Sequence, residues 1–249
     1  MEEIIQMTIN RFTASEPELW GQVGPLVDPL PSGRGPERAP IQGAYARLEP
    51  LDPPRHAASL YACSHARPED AALWTYMAYG PFADRGAFEA WAEERARSGD
   101  PLFFAIVEQA SGEASGMASY LNIVPANGSI EIGHIWFAPP LQKTRAATDA
   151  IFLMCRYAFE DLGYRRLEWK CDALNEASKR AARRFGFSYE GTFRQHMVVK
   201  GRNRDTAWFA LLDREWPAVR SAFERWLAPD NFDADGRQRT ALSPLTAAR

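Results

Sequence analysis

The 249-residue sequence predicts one α/β domain: a mixed, mostly antiparallel central sheet, helices on both faces, and one parallel strand pair that splays apart. Three observations predict it. Residues 103–137 hold three apolar runs separated by the turn signals Ser111-Gly112 and Asn127-Gly128, and strands joined by such short loops run antiparallel. An amphipathic stretch, 145–162, then separates the third run from a fourth at 166–171, and a strand–helix–strand unit makes its two strands parallel. The composition is 46% hydrophobic, with 8 Trp and 14 Phe, enough to fill a substantial core without disulfides or metal.

Residues 1–42 read as a Gly/Pro-rich arm, densest in both between Pro17 and Pro40, that packs on the domain or wraps a partner in a homodimer. The folded domain spans 43–213. It opens with a short strand at 44–48, followed by helices at 55–63, behind Pro53-Pro54, and at 88–95, closed by Gly99. Strands at 103–108, 116–123 and 130–137 form the meander, the last stopped by Pro139-Pro140. In the long helix, Ala147, Ile151, Met154, Cys155, Ala158, Phe159 and Leu162 recur at helical spacing until Gly163. A strand at 166–171, a helix at 175–185 and strands at 187–199 and 206–212 complete the sheet. Residues 214–249 supply a last helix, 215–227, with Trp216, Val219, Phe223, Trp226 and Leu227 on one face, and a polar, frayed tail.

Charge and cysteines narrow the function. A net charge of −3 and an isoelectric point near 5.9 argue against nucleic acid as the main partner, despite the cationic loop at Arg202 and Arg204. Cys63, Cys155 and Cys171 are widely spaced without a CxxC pair, so neither a disulfide framework nor a metal site is expected, and a reduced, cytoplasmic compartment fits. The acidic Met1-Glu2-Glu3 start lacks signal-peptide character, and no stretch approaches the roughly 20 apolar residues of a membrane span.

The segment richest in chemistry is 130–148, where a strand runs through a polar loop into the longest helix. Free amides at a helix start form an anion site. Those of Lys143 to Thr148, with the charges of Lys143 and Arg145, suit a diphosphate. With its context, the stretch resembles the GNAT acyltransferase superfamily, in particular its RimJ/RimL-like branch. That family places a Gln/Arg-x-x-Gly-x-Gly/Ala loop here to grip the diphosphate of coenzyme A. The matching residues are Gln142, Lys143, Thr144, Arg145, Ala146 and Ala147, with Arg145 standing where glycine is usual. A second match, Asn175-Glu-Ala-Ser178 with Gly186-Phe187 and Glu190-Gly191, extends the resemblance over roughly residues 43–213.

The resemblance implies transfer of an acetyl group from acetyl-CoA to a primary amine, either a small molecule or a protein N-terminus. It implies that Ile135, Trp136 and Phe137 pair with the pantetheine arm, one backbone amide polarising the thioester carbonyl. Asn175 would bond the same arm, and Ser178 would protonate the departing thiolate. Trp74, Tyr76 and Tyr79 would line the acceptor pocket. For the base, Glu131 is the first candidate because it lies on the central strand beside the expected cleft, with His134 and His196 as alternatives. Related N-terminal acetyltransferases have a proposed glutamate base on the strand after Glu190-Gly191. Gln195-His196-Met197 offers none. Each candidate also has a structural reading: Glu131 as an ion-paired strand residue, the histidines and Ser178 as packing or backbone-bonding groups, and the three aromatics as core. Arg145 in place of glycine motivates an alternative, a catalytically silent acyl-CoA-binding module. No cysteine has an activating partner, so direct attack in a ternary complex is expected.

Overall fold

The structure is a computed structural model that describes residues 24–248. The first 23 residues of the expected arm lie outside them, and residues 24–30, part of a separate unit, hold no helix or strand. Residues 31–40 belong to the main unit and lie along it. Ser32 and Arg34 donate to the carbonyls of Leu162 and Asp161, and Arg38 to those of Ala96 and Ser98. These carbonyls close helical segments, which leave such acceptors unpaired.

The elements follow as β1 (Ile41–Gln42), β2 (Ala46–Pro50), α1 (Pro53–Ser64), a 3₁₀ segment (Pro68–Trp74), α2 (Arg85–Ala96), β3 (Leu102–Glu108), β4 (Ala114–Val124) and β5 (Ser129–Phe137). Then come α3 (Arg145–Arg156), β6 (Arg166–Asp172), α4 (Glu176–Arg184), β7 (Ser188–Val199), β8 (Arg202–Leu212), α5 (Trp216–Leu227) and α6 (Leu242–Ala247). The eight strands form one sheet in the order β1-β2-β3-β4-β5-β6-β8-β7. Every neighbouring pair is antiparallel except β5 and β6, the parallel pair expected from the strand–helix–strand unit.

Two apolar layers sandwich the sheet. On one face Ile130, Ile132, Leu167 and Phe209 pack against Ile151 and Met154 of α3 and Phe223 and Trp226 of α5. On the other, Phe103, Ala105, Val107 and Met117 pack under Leu60 of α1, Phe88 and Ala92 of α2, and Trp74. Helix α3 is buried from Ala146 through Cys155. Its Asp149 accepts from the amides of Tyr45 (2.7 Å) and Ala46 (3.0 Å), fixing the start of β2. Gly43 allows that approach, because a Cβ there would stand 2.5 Å from the same carboxylate oxygen.

Two expectations are corrected. The long helix is not α-helical to Leu162: after Arg156 it widens, the Leu162 amide bonding the carbonyl of Tyr157 five residues back, before Gly163 turns at φ 67°. The tail is not frayed. Buried Asn231 donates to the carbonyls of Trp226 and Thr240 and accepts from the Thr240 amide, and Trp226 Nε1 donates to Gln238 at 2.8 Å. Leu242 and Thr246 of α6 are buried, and the Thr246 hydroxyl bonds the carbonyl of Arg184. Polar composition concealed this order because the tail is held by side-chain and backbone hydrogen bonds made between its own distant residues.

Candidate active site

Strands β5 and β6 pair from Ser129 opposite Arg166 to Ile132 opposite Trp169, and no further. Beyond that point β6 stays with β8 to Asp172, and β5 stays with β4 to Phe137. Among the described residues no strand pairs their facing edges beyond that point, and backbone groups there need a partner in any dry environment. The parting coincides with a bulge. Ser119 faces Gly133 and Met117 faces Trp136, so His134 and Ile135 together oppose Ala118, with His134 at φ 51°. The edge along Ile135, Trp136 and Phe137 thus suits an extended, amide-bearing ligand.

The loop after β5 is wound tightly: the amides of Leu141 and Gln142 bond the carbonyl of Ala138, and Gln142 Nε2 bonds that of Phe137 at 2.9 Å. Lys143 takes the left-handed turn (φ 62°), so the backbone at Arg145, the first residue of α3, needs no glycine for its conformation. Thr144 caps the Ala147 amide at 3.1 Å and leaves those of Arg145 and Ala146 without a side-chain cap. The Arg145 guanidinium lies over two rings, 4.0 Å from the centroid of Phe232 and 5.2 Å from that of Tyr45. A cavity of about 380 Å³ adjoins it, lined in part by Tyr45, Glu108, Gln109, Thr144 and Ala146.

Across the parting, Asn175 caps α4 by accepting from the Ser178 amide at 3.0 Å. The Ser178 hydroxyl accepts from the Trp169 indole at 2.9 Å. Indole N–H is a donor only, so this contact does not use the serine proton, whose other neighbour is the Cys171 thiol.

Glu131 is 5% exposed and faces Glu168 across the parallel pair. Its Oε2 accepts from Asn122 Nδ2 (2.6 Å) and Lys170 Nζ (2.8 Å), and Lys170 also bonds Glu168 at 2.8 Å while lying 3.9 Å above the Trp208 ring. Oε1 accepts no hydrogen bond from the described residues and points toward Gly133, where a Cβ would come within 3.4 Å of it. Burial raises the Glu131 carboxyl above its ordinary range, and Lys170 and Asn122 only partly offset this. Its position among ion pairs agrees with the structural reading, yet one oxygen is left free at the mouth of the parting.

The other candidates divide. His134 is pushed down to about 4, first by burial and then by the Arg95 and Arg204 charges; it stacks on Tyr79 (5.7 Å, 17°) and is neutral at physiological pH. His196 is exposed, with Nδ1 3.0 Å from the Thr206 hydroxyl. Tyr79 is half-buried, its hydroxyl 3.3 Å from His134 Nδ1, and the Tyr76 hydroxyl donates to the Leu174 carbonyl at 3.2 Å, beside Asn175. Trp74 is a correction: it has no exposed surface and packs on His65, Tyr79, Phe82 and Trp136, so it cannot contact an acceptor. At the tip of the β7–β8 hairpin, Lys200 donates to the carbonyls of Trp74 and Gly80, tying the hairpin to this aromatic segment.

Sequence reasoning missed Asn122, Lys170 and Trp208. The alternation Arg166, Glu168, Lys170 on one face of β6, set in register against Glu131, was the available signal. Cys63, Cys155 and Cys171 are free thiols whose ionisation burial pushes up, Cys63 to about 12, which removes them as nucleophiles.

A strand pair that opens beside a helix start is the geometry of the acyltransferases that the sequence resembles, and comparison with known proteins agrees. Residues 47–188 match the family described as the acetyltransferase (GNAT) domain. The chain belongs to this family and is an acyl-CoA-dependent N-acetyltransferase. A GCN5-related N-acetyltransferase from Brucella melitensis is similar at 49% identity and a TM-score of 0.83, over 85% of this chain and 96% of that one. A GNAT-family protein from Chromobacterium violaceum, described as a probable acetyltransferase, is similar at 45% identity and a TM-score of 0.73, over 80% and 98%. YdaF of Bacillus subtilis, described provisionally as a ribosomal N-acetyltransferase, is 34% identical over 105 residues, 42% of this chain. That match spans 57% of YdaF's own length, and it accords with the RimJ/RimL-like placement. Among the described residues no helix is long and apolar enough to cross a membrane.

Proposed function

We propose that this enzyme transfers acetyl from acetyl-CoA to a primary amine by direct attack in a ternary complex, with Glu131 as the base. The observation that carries the reading is the free Oε1 of a buried carboxylate at the point where β5 and β6 part. The pantetheine arm pairs with Ile135, Trp136 and Phe137 and bonds Asn175, while its diphosphate meets the loop from Gln142 to Ala147. The amine nitrogen attacks the thioester carbon as the C–S bond breaks and an N–C bond forms. Glu131 takes the amine's proton, a β5 amide donates to the developing oxyanion, and Ser178 gives its proton to the thiolate and regains one from solvent.

The acceptor approaches over the face bearing Glu131, Lys170 and Trp208, beside Tyr76 and Tyr79. YdaF's description favours an amine on a protein over a small molecule. Free thiols fit a cytoplasmic setting. The expected homodimer gains no support from residues 31–40, whose polar side chains bond their own domain.

Calorimetric titration with acetyl-CoA, followed by thiol release against small amines and peptide N-termini, tests the reading. Binding with coenzyme A released for one acceptor class is expected. Absence of acetyl-CoA binding would overturn it.

A further inference from the structure

The C-terminal segment after α5 lies beyond the residues matched by the family, yet it reaches the residue that departs from the family's phosphate loop. Arg145 is a long, flexible side chain where glycine is usual. Unrestrained, it would sweep across the uncapped amides of α3 and lose rotamer freedom on meeting a phosphate. It is restrained here. Its guanidinium lies over two rings, 4.0 Å from the centroid of Phe232 and 5.2 Å from that of Tyr45. Among the described residues the guanidinium forms no ion pair, and its one hydrogen bond to them is long, 3.5 Å from Nη1 to the Tyr45 hydroxyl. Both rings are themselves anchored. The Tyr45 hydroxyl donates to the Leu227 carbonyl at 3.0 Å, and Phe232 packs edge-on against Trp226 at 5.1 Å. Phe232 also follows Asn231, whose side chain holds the tail to Trp226 and Thr240.

We infer that Phe232 and Tyr45 are positioning residues that hold the Arg145 guanidinium ready for a phosphate group of acetyl-CoA, which makes the C-terminal segment part of the coenzyme site. The inference rests on the proposed acetyl-CoA reading. Ring faces suit this task because they fix a cation without consuming its N–H donors, which then stay available to an anion. The segment thus replaces the close approach that glycine gives elsewhere with a preset charge.

The test is calorimetric titration of the full-length chain with acetyl-CoA, for wild type, Phe232→Leu, Phe232→Tyr, Arg145→Ala and the Phe232→Leu/Arg145→Ala double variant. Phe232→Leu retains apolar bulk, and a thermal melt checks that it folds. Loss of the ring face should raise the acetyl-CoA Kd by about three- to tenfold. Phe232→Tyr should restore it, and the effect should vanish in the Arg145→Ala background. The amine KM should not move, whereas general loosening would move it as well. An unchanged Kd in folded Phe232→Leu, or an equal loss with and without Arg145, overturns the inference. Failure of the wild type to bind acetyl-CoA would instead refute the functional reading beneath it.

Discussion

Two glutamates on the same sheet are almost equally buried, Glu49 on β2 at 4% exposure and Glu131 on β5 at 5%, and their surroundings differ in one respect. Both Glu49 oxygens are engaged, Oε1 by Arg47 and Arg55 and Oε2 by Arg55 and His56. Burial is the largest influence on Glu49 and raises its carboxyl, but these partners together carry it below the ordinary range. Glu131 meets one cation, Lys170, which it shares with Glu168, and its Oε1 stays free. There burial prevails and the carboxyl rises. Burial alone therefore does not set the ionisation of a carboxylate; the distribution of donors over its two oxygens decides the direction here.

The comparison is broken most directly by exchanging each carboxylate for an amide. Glu131→Gln should lower kcat by about 10²- to 10³-fold with acetyl-CoA affinity unchanged. Glu49→Gln should leave kcat within about twofold and cost about 2 kcal/mol of stability, because charge-assisted hydrogen bonds are lost. Thiol release and denaturant unfolding read the two effects, and equal rate losses would erase the distinction. Gly133→Ala comes next. Its Cβ would stand 2.7 Å from the end of the Leu121 side chain, which can move, and 3.4 Å from Glu131 Oε1, so kcat/KM for the amine should fall about tenfold in a folded protein.

Lys170→Met sharpens the comparison from the other side. Removing the cation should raise the Glu131 carboxyl further, so the variant's rate should fall away at a higher pH than the wild type's and recover as pH rises. A loss independent of pH would mean that Lys170 serves structure alone. Among the variants expected to slow the reaction, the smallest effect is that of Ser178→Ala, about threefold in kcat, because a thiolate leaves readily near neutral pH without an acid. A hundredfold loss would assign Ser178 a larger part than the indole-bonded hydroxyl implies.

Much of this architecture was legible in the chain. Apolar periodicity and turn dipeptides marked the meander, the parallel pair and the helix that opens at Thr144, since each depends on near neighbours. Motif spacing also placed the loop from Gln142 to Ala147 at the start of that helix. What escaped depends on contacts between distant segments. Asn122 and Lys170 meet Glu131 only once register places three strands together, and Phe232 reaches Arg145 from a tail whose composition suggested no order. Trp74 was misplaced for a related reason: an aromatic cluster reads alike whether it lines a cavity or fills a core.

The most direct test of the account is the pH dependence of kcat/KM for the amine at saturating acetyl-CoA, measured for wild type beside Glu131→Gln. Protonation of the substrate amine is common to both, so the ratio of the two profiles isolates the enzyme's own group. The ratio should fall as pH drops through a titration above the ordinary carboxylate range and approach a constant, large value at higher pH. A ratio near one at every pH would contradict it and remove Glu131 from the chemistry.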